Sequence, residues 1–228
     1  MASERITVAS FERAVNQIMI ARLQHAIIVA RFRNAYRAAS RKERREAINW
    51  YRDANQLAQD IARAHEGVSV DTAARVIAVI SPRLSWGSNV ACAHAIVAHW
   101  EREQNWEDLK IQALPKNIEK AFLILDGRPE FLRGPKVNAF YENIISSGQS
   151  GPPTIDNWMI RIATGARERI YHNTPTKAQR EAIESALREA CKRYSRIALA
   201  NFQAVIWVSF RAQLATAKEL AAYEKRGA

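Results

Sequence analysis

The chain has 228 residues, of which 48% are hydrophobic and 25% are charged, enough for one well-buried core or two small lobes sharing a cleft. Lys and Arg outnumber Asp and Glu by 34 to 23, giving a formal net charge of +11 and a sequence pI near 10.0. This excess favours a polyanionic partner such as nucleic acid, and the alternative is a basic but otherwise ordinary soluble protein.

The cysteines and histidines argue against a metal centre. Cys92 and Cys191 are far apart and form no metal-spaced cluster, so we expect free thiols in a reducing compartment. His94 and His99 are spaced poorly for one helical face. No apolar run approaches the roughly 18 residues of a membrane span, and the N-terminus lacks a secretion signal. We therefore expect a cytoplasmic protein that makes no membrane contact.

Apolar residues recur with a period of about 3.6 along almost the whole chain, which predicts an all-α fold. In chain order, the predicted helices cover residues 8–38, 41–65, 70–80, 87–104, 115–125, 135–147, 156–166, 175–195 and 199–222. Turn-forming stretches such as HEGVSVD, SPRLSWGS and SSGQSGPPT separate them. Thr174 and Pro175 predict the start of the eighth helix, as a hydroxyl cap and a first-turn proline.

A basic segment, RFRNAYRAASRKERR, covers residues 31–45. It holds seven basic residues and one acid, with Phe32 and Tyr36 interleaved. Two interpretations stay open: a helix face that lies along a phosphate backbone, and a solvated helix face without a ligand.

The stretch FLRGPKVNAFYENI, residues 131–144, places Lys136 in the first turn of a helix. A lysine is unfavourable there, because the free N–H groups of a helix start carry partial positive charge. An amine is a nucleophile only when neutral, so its pKa must fall from about 10.4 towards 7, which corresponds to roughly 4 kcal/mol. The helix start supplies at most about 1–2 kcal/mol of this, and burial or a nearby cation must supply the rest. The alternative is a solvated surface lysine.

The stretch TIDNWMIRIA, residues 154–163, places Asp156 just before another apolar helix. Aspartate is among the best N-cap residues, and this role alone accounts for it. Together with Lys136, on consecutive helices of a basic protein, it also suggests a catalytic pair.

These two stretches resemble the helix-hairpin-helix DNA glycosylases. In that family a Gly-x-Lys ends a hairpin and enters a helix, and an aspartate opens another helix about twenty residues later. GPK at 134–136 and Asp156 reproduce this order, with Lys136 and Asp156 twenty residues apart. The segment VIAVISPRLSWGSNVACAHAIV, residues 76–97, is similar to the part of the family that inserts a polar side chain into the base stack. The resemblance covers residues 68–166.

The resemblance implies two helical lobes with a cleft between them, within one glycosylase-like domain at 1–228. Basic N-terminal helices would occupy residues 1–66, the core with hairpin and catalytic loop 68–166, and C-terminal helices 170–228. The expected partner is double-stranded DNA with a flipped target base, bound by a monomer.

The resemblance also implies roles for individual residues. Lys136 would attack the sugar C1′, displacing a modified or damaged base and leaving a Schiff base that can cleave the strand. Asp156 would stabilise the cationic sugar, or would orient a water if Lys136 stays protonated. Residues at the matching positions are Arg83, Arg133 and Gly134 for DNA contacts and Trp86 and Trp158 for the base pocket. Each has a structural alternative as a surface arginine, a turn glycine or a packed tryptophan.

Three departures from the family pattern concern cofactors and the pocket. The usual hairpin reads Leu-Pro-Gly-x-Gly, whereas this chain keeps only Gly134 and has Leu132 in place of the first glycine. A monovalent ion at the hairpin is the only ion that the family would imply. The four-cysteine cluster of the iron–sulfur branch is absent, so no cluster and no other metal is expected. Trp158 stands where many members have histidine.

Two other functions fit the same residues. One is an enzyme that hypermodifies a base on a glycosylase-like scaffold, as in viral DNA modification. The other is a non-enzymatic helical DNA-binding protein.

Overall fold

The computed structural model describes residues 24–103, 105–165 and 175–224, with side chains up to residue 215. These residues form helices and contain no strand, which confirms the predicted all-α fold. Helix α1 covers residues 24–38, and its predicted start at residue 8 lies outside the described residues. The helices that follow are α2 (Arg41–Ala64), α3 (Val70–Ile80), α4 (Trp86–Glu101), α5 (Pro115–Leu125), α6 (Pro135–Ile145), α7 (Asn157–Thr164), α8 (Lys177–Cys191) and α9 (Leu199–Glu224).

Helix α8 departs most from its predicted bounds. It begins at Lys177, with Thr176 as N-cap, so Pro175 lies outside the helix rather than at its first position. The Thr176 hydroxyl accepts from the Gln179 N–H, and the Gln179 side chain accepts from the Thr176 N–H. This reciprocal capping box satisfies two free donors and therefore sets the helix start. The predicted cap, Thr174, lies outside the described residues.

The chain divides into two compact units. Unit 1 comprises Met1–Ala39, Asn157–Ser195 and Ile206–Ala228, and unit 2 comprises Ser40–Asp156 and Arg196–Val205. The residues of α9 are therefore divided between them. The domain division expected from the sequence stays a prediction.

Helix α3 forms the centre of unit 2. It contacts α2, α4, α5 and α6, and the second half of its sequence, VIAVI, is entirely apolar. The side chains from Val76 to Ile80 are all buried. A helical segment that is hydrophobic all round is stable only when it is surrounded, and each large side chain that it buries contributes about 1.5–3 kcal/mol.

In unit 1, the aromatic residues of the basic segment pack inside. Phe32 is 0% exposed, and the ring of Tyr36 lies 4.3 Å from that of Tyr194. The Arg31 guanidinium donates to the carbonyl oxygen of Ala163 at 2.6 Å, near the C-terminal end of α7. Because helix ends leave carbonyls without intrahelical partners, this arginine has a structural role. Phe32 and Tyr36 are thus core residues, and only the exposed basic residues of the segment stay candidates for phosphate contact.

Candidate active site

Lys136 is the second residue of α6. The backbone conformations of the two residues before it define where this helix begins. Gly134 is the N-cap, with a φ of 109° that favours glycine, and Pro135 occupies the first helical position. No side chain caps this end. Lys136 is half-buried, and none of the ion pairs between described residues includes it. The lysine therefore enters α6 beside uncapped backbone donors and is partly shielded from water.

The face of α6 that carries Lys136 also carries Phe140 and Asn143, at positions i, i+4 and i+7. The Phe140 ring lies 5.7 Å from the ring of Trp50 and 6.4 Å from that of Tyr51, both on α2. Asn143 is fully buried. This face therefore packs against α2 within unit 2.

Asn143 also joins this face to the loop before Asp156. Its Nδ2 donates to the Pro152 carbonyl at 2.9 Å and to the Thr154 hydroxyl at 3.2 Å. The Tyr51 hydroxyl donates to the same Thr154 oxygen at 3.4 Å. Helix α6, helix α2 and the loop that carries Asp156 thus meet at one buried polar cluster.

Asp156 lies within electrostatic reach of Tyr51. The pKa of the Tyr51 hydroxyl is raised to about 12, chiefly by burial and further by the negative charge of Asp156, although its hydrogen bond with Thr154 works the other way. Tyr51 therefore stays neutral and acts as a hydrogen-bond donor at physiological pH. Asp156 itself is half-buried and directly precedes α7.

Gly148 lies between α6 and this loop and provides a test of how tightly the cluster is packed. Its φ is 73°, and a Cβ added there would overlap Asn201 Oδ1 and lie 3.1 Å from two atoms of Tyr51. We expect Gly148→Ala to lower the free energy of unfolding by roughly 2–5 kcal/mol, as the sum of backbone strain and overpacking. Gly67→Ala is the matched control, because Gly67 has a φ of 78° and no atom within 4 Å of an added Cβ. Urea unfolding measures the free energy of unfolding of both variants. An equal decrease in the two would contradict tight packing around Gly148.

Trp86 is the first residue of α4 and packs beside α2. Its ring lies 4.8 Å from that of Trp50, and both are half-buried. The Trp50 ring also contacts the Tyr51 ring edge-on, at 4.9 Å. Trp50 and Tyr51 were not among the residues expected from the sequence, because their neighbours come from distant segments. Trp86 and Trp50 together bring two partly accessible indoles to the face of α2 that contacts α6.

The expected DNA-contacting residues lie in exposed turns of unit 2. Arg83, in the turn between α3 and α4, has a φ of 69°, a left-handed conformation that is uncommon for a residue other than glycine. Arg133 is exposed just before α6, and its Nε donates to the Glu130 carbonyl at 3.0 Å. Gly134 is also exposed. These positions are accessible to a ligand.

Trp158, the other residue expected in the base pocket, belongs to unit 1. The Arg161 guanidinium lies 4.7 Å from its ring, and the Phe210 ring lies 6.4 Å away, edge-on. Arg161 is buried, and such stacked cations favour the ring face. Trp158 is thus packed within its own unit, whereas Trp86 is in unit 2, and a pocket shared by the two stays a prediction.

A second polar cluster in unit 2 joins α3 to α6. Arg75 Nε donates to Asp71 at 2.7 Å, and Arg75 Nη2 donates to the Tyr141 hydroxyl at 2.9 Å. Tyr141 donates to the same carboxylate. Burial raises the pKa of Asp71, but the hydrogen bonds from Arg75 and Tyr141 outweigh it and hold that pKa below its usual range. These groups satisfy one another, so the cluster pins α6 against α3.

Two broader features concern metals and membranes. Among the described residues, no group of three or more His, Cys, Asp or Glu side chains is arranged to hold a metal ion. None of the helices in the described part of the chain is both long enough and apolar enough to span a bilayer.

Comparison with known proteins assigns a family but no activity. The family model described as "Family of unknown function (DUF7178)" matches residues 14–214, and the chain therefore belongs to that family. No curated protein and no solved structure matches the chain. Any function must therefore be argued from the residues themselves.

Proposed function

We propose that this member of the DUF7178 family is a DNA glycosylase that removes a modified or damaged base and has associated abasic-site lyase activity. The observation that supports it is a helix face in unit 2 that leads from Lys136 to the loop before Asp156. Lys136 occupies the same face of α6 as Phe140 and Asn143, and this face contacts the Tyr51 and Thr154 cluster that precedes Asp156.

In the proposed reaction, neutral Lys136 attacks the sugar C1′ of a flipped nucleotide. The C1′–N glycosidic bond breaks, and the base leaves with the bonding electrons and takes up a proton. The sugar ring then opens to a Schiff base between C1′ and Lys136 Nζ, from which the 3′ phosphate can be eliminated. Lys136 is half-buried at the start of α6, so its side chain is partly accessible to a nucleotide.

Asp156 is proposed to stabilise the positive charge that develops on the sugar. A fixed anion opposite a cationic transition state is effective only when it is already oriented. The buried hydrogen bonds at Thr154, two residues earlier, support such orientation. If Lys136 stays protonated, Asp156 would orient a water and the product would be an abasic site without strand cleavage.

The proposed partner is double-stranded DNA, bound by a monomer in the cytoplasm. A net charge of +11 supports a polyanionic ligand, because neutralised phosphates release counterions. Gly134 would allow the backbone to approach a phosphate, and Arg133 would contact the strand. Trp86 would line the base pocket within unit 2, with Trp50 as an additional stacking surface beside it.

Borohydride trapping tests this proposal. The protein is mixed with a panel of duplexes that each contain one damaged or modified base or an abasic site, and Schiff bases are reduced to stable amines. The expected result is a covalent protein–DNA adduct on at least one substrate. Absence of any adduct together with absence of any base release would contradict the glycosylase function.

Mass spectrometry of the reacted DNA distinguishes the alternatives. Loss of the base mass supports a glycosylase, whereas a retained base with added mass would indicate a base-modifying enzyme. Salt-sensitive binding with unchanged DNA would indicate a non-enzymatic DNA-binding protein.

Arg83 provides a separate prediction, because its backbone and its side chain can be tested independently. Arg83→Gly is expected to be more stable than Arg83→Ala by about 1 kcal/mol, since glycine adopts the positive φ without strain. Both variants should lose DNA affinity equally, because both lack the guanidinium. Urea unfolding and fluorescence anisotropy measure the two effects. A DNA contact by Arg83 would be contradicted if the loss of affinity differed between the two variants as their stability does. It would also be contradicted if neither variant lost affinity.

A further inference from the structure

Gln203, in α9, uses both ends of its side-chain amide to hold the backbone of one distant residue. Its Oε1 accepts from the Thr154 N–H at 2.8 Å, and its Nε2 donates to the Thr154 carbonyl. Gln203 is only 5% exposed. The pairing resembles one rung of a β-ladder, made by a side chain and a backbone that lie 49 residues apart.

The side-chain hydroxyl of Thr154 is hydrogen-bonded as well. Its hydroxyl oxygen accepts from Asn143 and Tyr51, so backbone and side chain are both bonded within unit 2. Thr154 is 7% exposed, and each of these bonds would be costly to lose in the interior. Asp156 follows two residues later along the chain.

The segment that leads to Asp156 is held at its start by turn hydrogen bonds between Ser146 and Ser150. It contains Gly148 and Gly151, both at positive φ, and has no helix or strand between Ile145 and Asn157. Ionic or nucleophilic groups act in catalysis only when held within about 0.5 Å of their productive position. The part of the loop nearest Asp156 requires external fixation, and Gln203 supplies two bonds to its backbone at Thr154, beside the one that Asn143 donates to Pro152.

We propose that Gln203 is a positioning residue for Asp156, which fixes the carboxylate by clamping the backbone at Thr154. The inference rests on the proposed function for its catalytic consequence, but the clamp itself can be measured without any reaction. Gln203 does not contact the reacting atoms in this scheme. Its effect passes through Thr154 to Asp156.

Two substitutions at Gln203 separate the clamp from simple packing. Gln203→Met keeps the length and fills the space but removes both hydrogen bonds. Gln203→Glu restores both bonds only when its carboxyl is protonated, with the C=O accepting and the O–H donating. Because burial raises the pKa of a carboxyl group above about 4.3, the clamp should return as the pH falls. Gln213→Met on the same helix is the control, because it makes the same substitution at a glutamine that donates to Ser209 rather than to Thr154.

The first readout is hydrogen exchange at the Thr154 amide, which needs no substrate. Gln203→Met should exchange at least about tenfold faster than wild type, and Gln213→Met should not change. In Gln203→Glu the ratio to wild type should fall towards one as the pH is lowered. Unchanged exchange in Gln203→Met would overturn the clamp.

The second readout is the rate of adduct formation on abasic-site DNA. Gln203→Met should lower this rate by about 10²-fold, with the Kd for DNA within about twofold, because only the position of Asp156 changes. In Gln203→Glu the rate relative to wild type should recover at low pH, which a loss of packing would not produce. Faster exchange without a slower reaction would overturn the positioning role. If wild type forms no adduct and releases no base from any duplex, the proposed function fails, and hydrogen exchange alone decides the clamp.

Discussion

Replacing Lys136 with glutamine is expected to abolish the trapped adduct, lowering the rate of its formation by at least about 10³-fold. An amide nitrogen cannot form a Schiff base, and no other lysine occupies this face of α6. Binding should persist, since the interface loses one charge among many, and we expect the Kd for abasic-site DNA to rise by less than about fivefold. Borohydride trapping with denaturing electrophoresis measures the rate, and fluorescence anisotropy measures the affinity.

The chain contains a closely matched control for this variant. Pro115 and Lys116 open α5 as Pro135 and Lys136 open α6, and both helices have 11 residues without a side-chain cap. Lys116 is exposed, whereas Lys136 is half-buried. Lys116→Gln should therefore retain full adduct formation. An adduct that survives in Lys136→Gln, or that disappears in both variants, would refute the lysine mechanism.

The fold was largely predictable, because local signals set most helices. The predicted bounds of α3 and α5 agree with the structure at both ends, since turn residues flank strongly periodic apolar runs. Helix α8 was harder, because Thr174 and Thr176, on either side of Pro175, each suit a cap. The choice of Thr176 depends on the reciprocal bond with Gln179, which the Thr-Pro pattern does not reveal.

The candidate site was predictable only where its residues form local motifs. Lys136 and Asp156 follow recognisable turn and helix signals, whereas Tyr51 and Gln203 reach the same cluster from about 100 residues upstream and 49 residues downstream of Thr154. The apolar stripe of α2 indicates that Tyr51 is buried, but no periodicity shows which loop it faces. Long-range pairing of polar groups depends on how whole helices pack. The spacing of residues along the sequence therefore does not predict it.

Replacing Asp156 with asparagine is expected to lower the rate of adduct formation by about 10²–10³-fold while leaving the protein folded. Asparagine caps a helix as well as aspartate does, so the variant removes the negative charge and keeps the capping ability. The free energy of unfolding should therefore stay within about 1 kcal/mol of wild type. Single-turnover trapping and urea unfolding give the two quantities.

Comparison with Asp156→Ala separates the charge from the cap. Alanine removes both, and it should cost an additional free energy of about 1 kcal/mol if Asp156 caps α7. A residue that only caps would leave Asp156→Asn fully active and Asp156→Ala merely less stable. Asp53→Asn, at an exposed carboxylate on α2, controls for the loss of one negative charge in a basic protein and should retain full activity. Equal rates in Asp156→Asn and wild type would therefore assign Asp156 to the helix start alone and remove the anion from the mechanism.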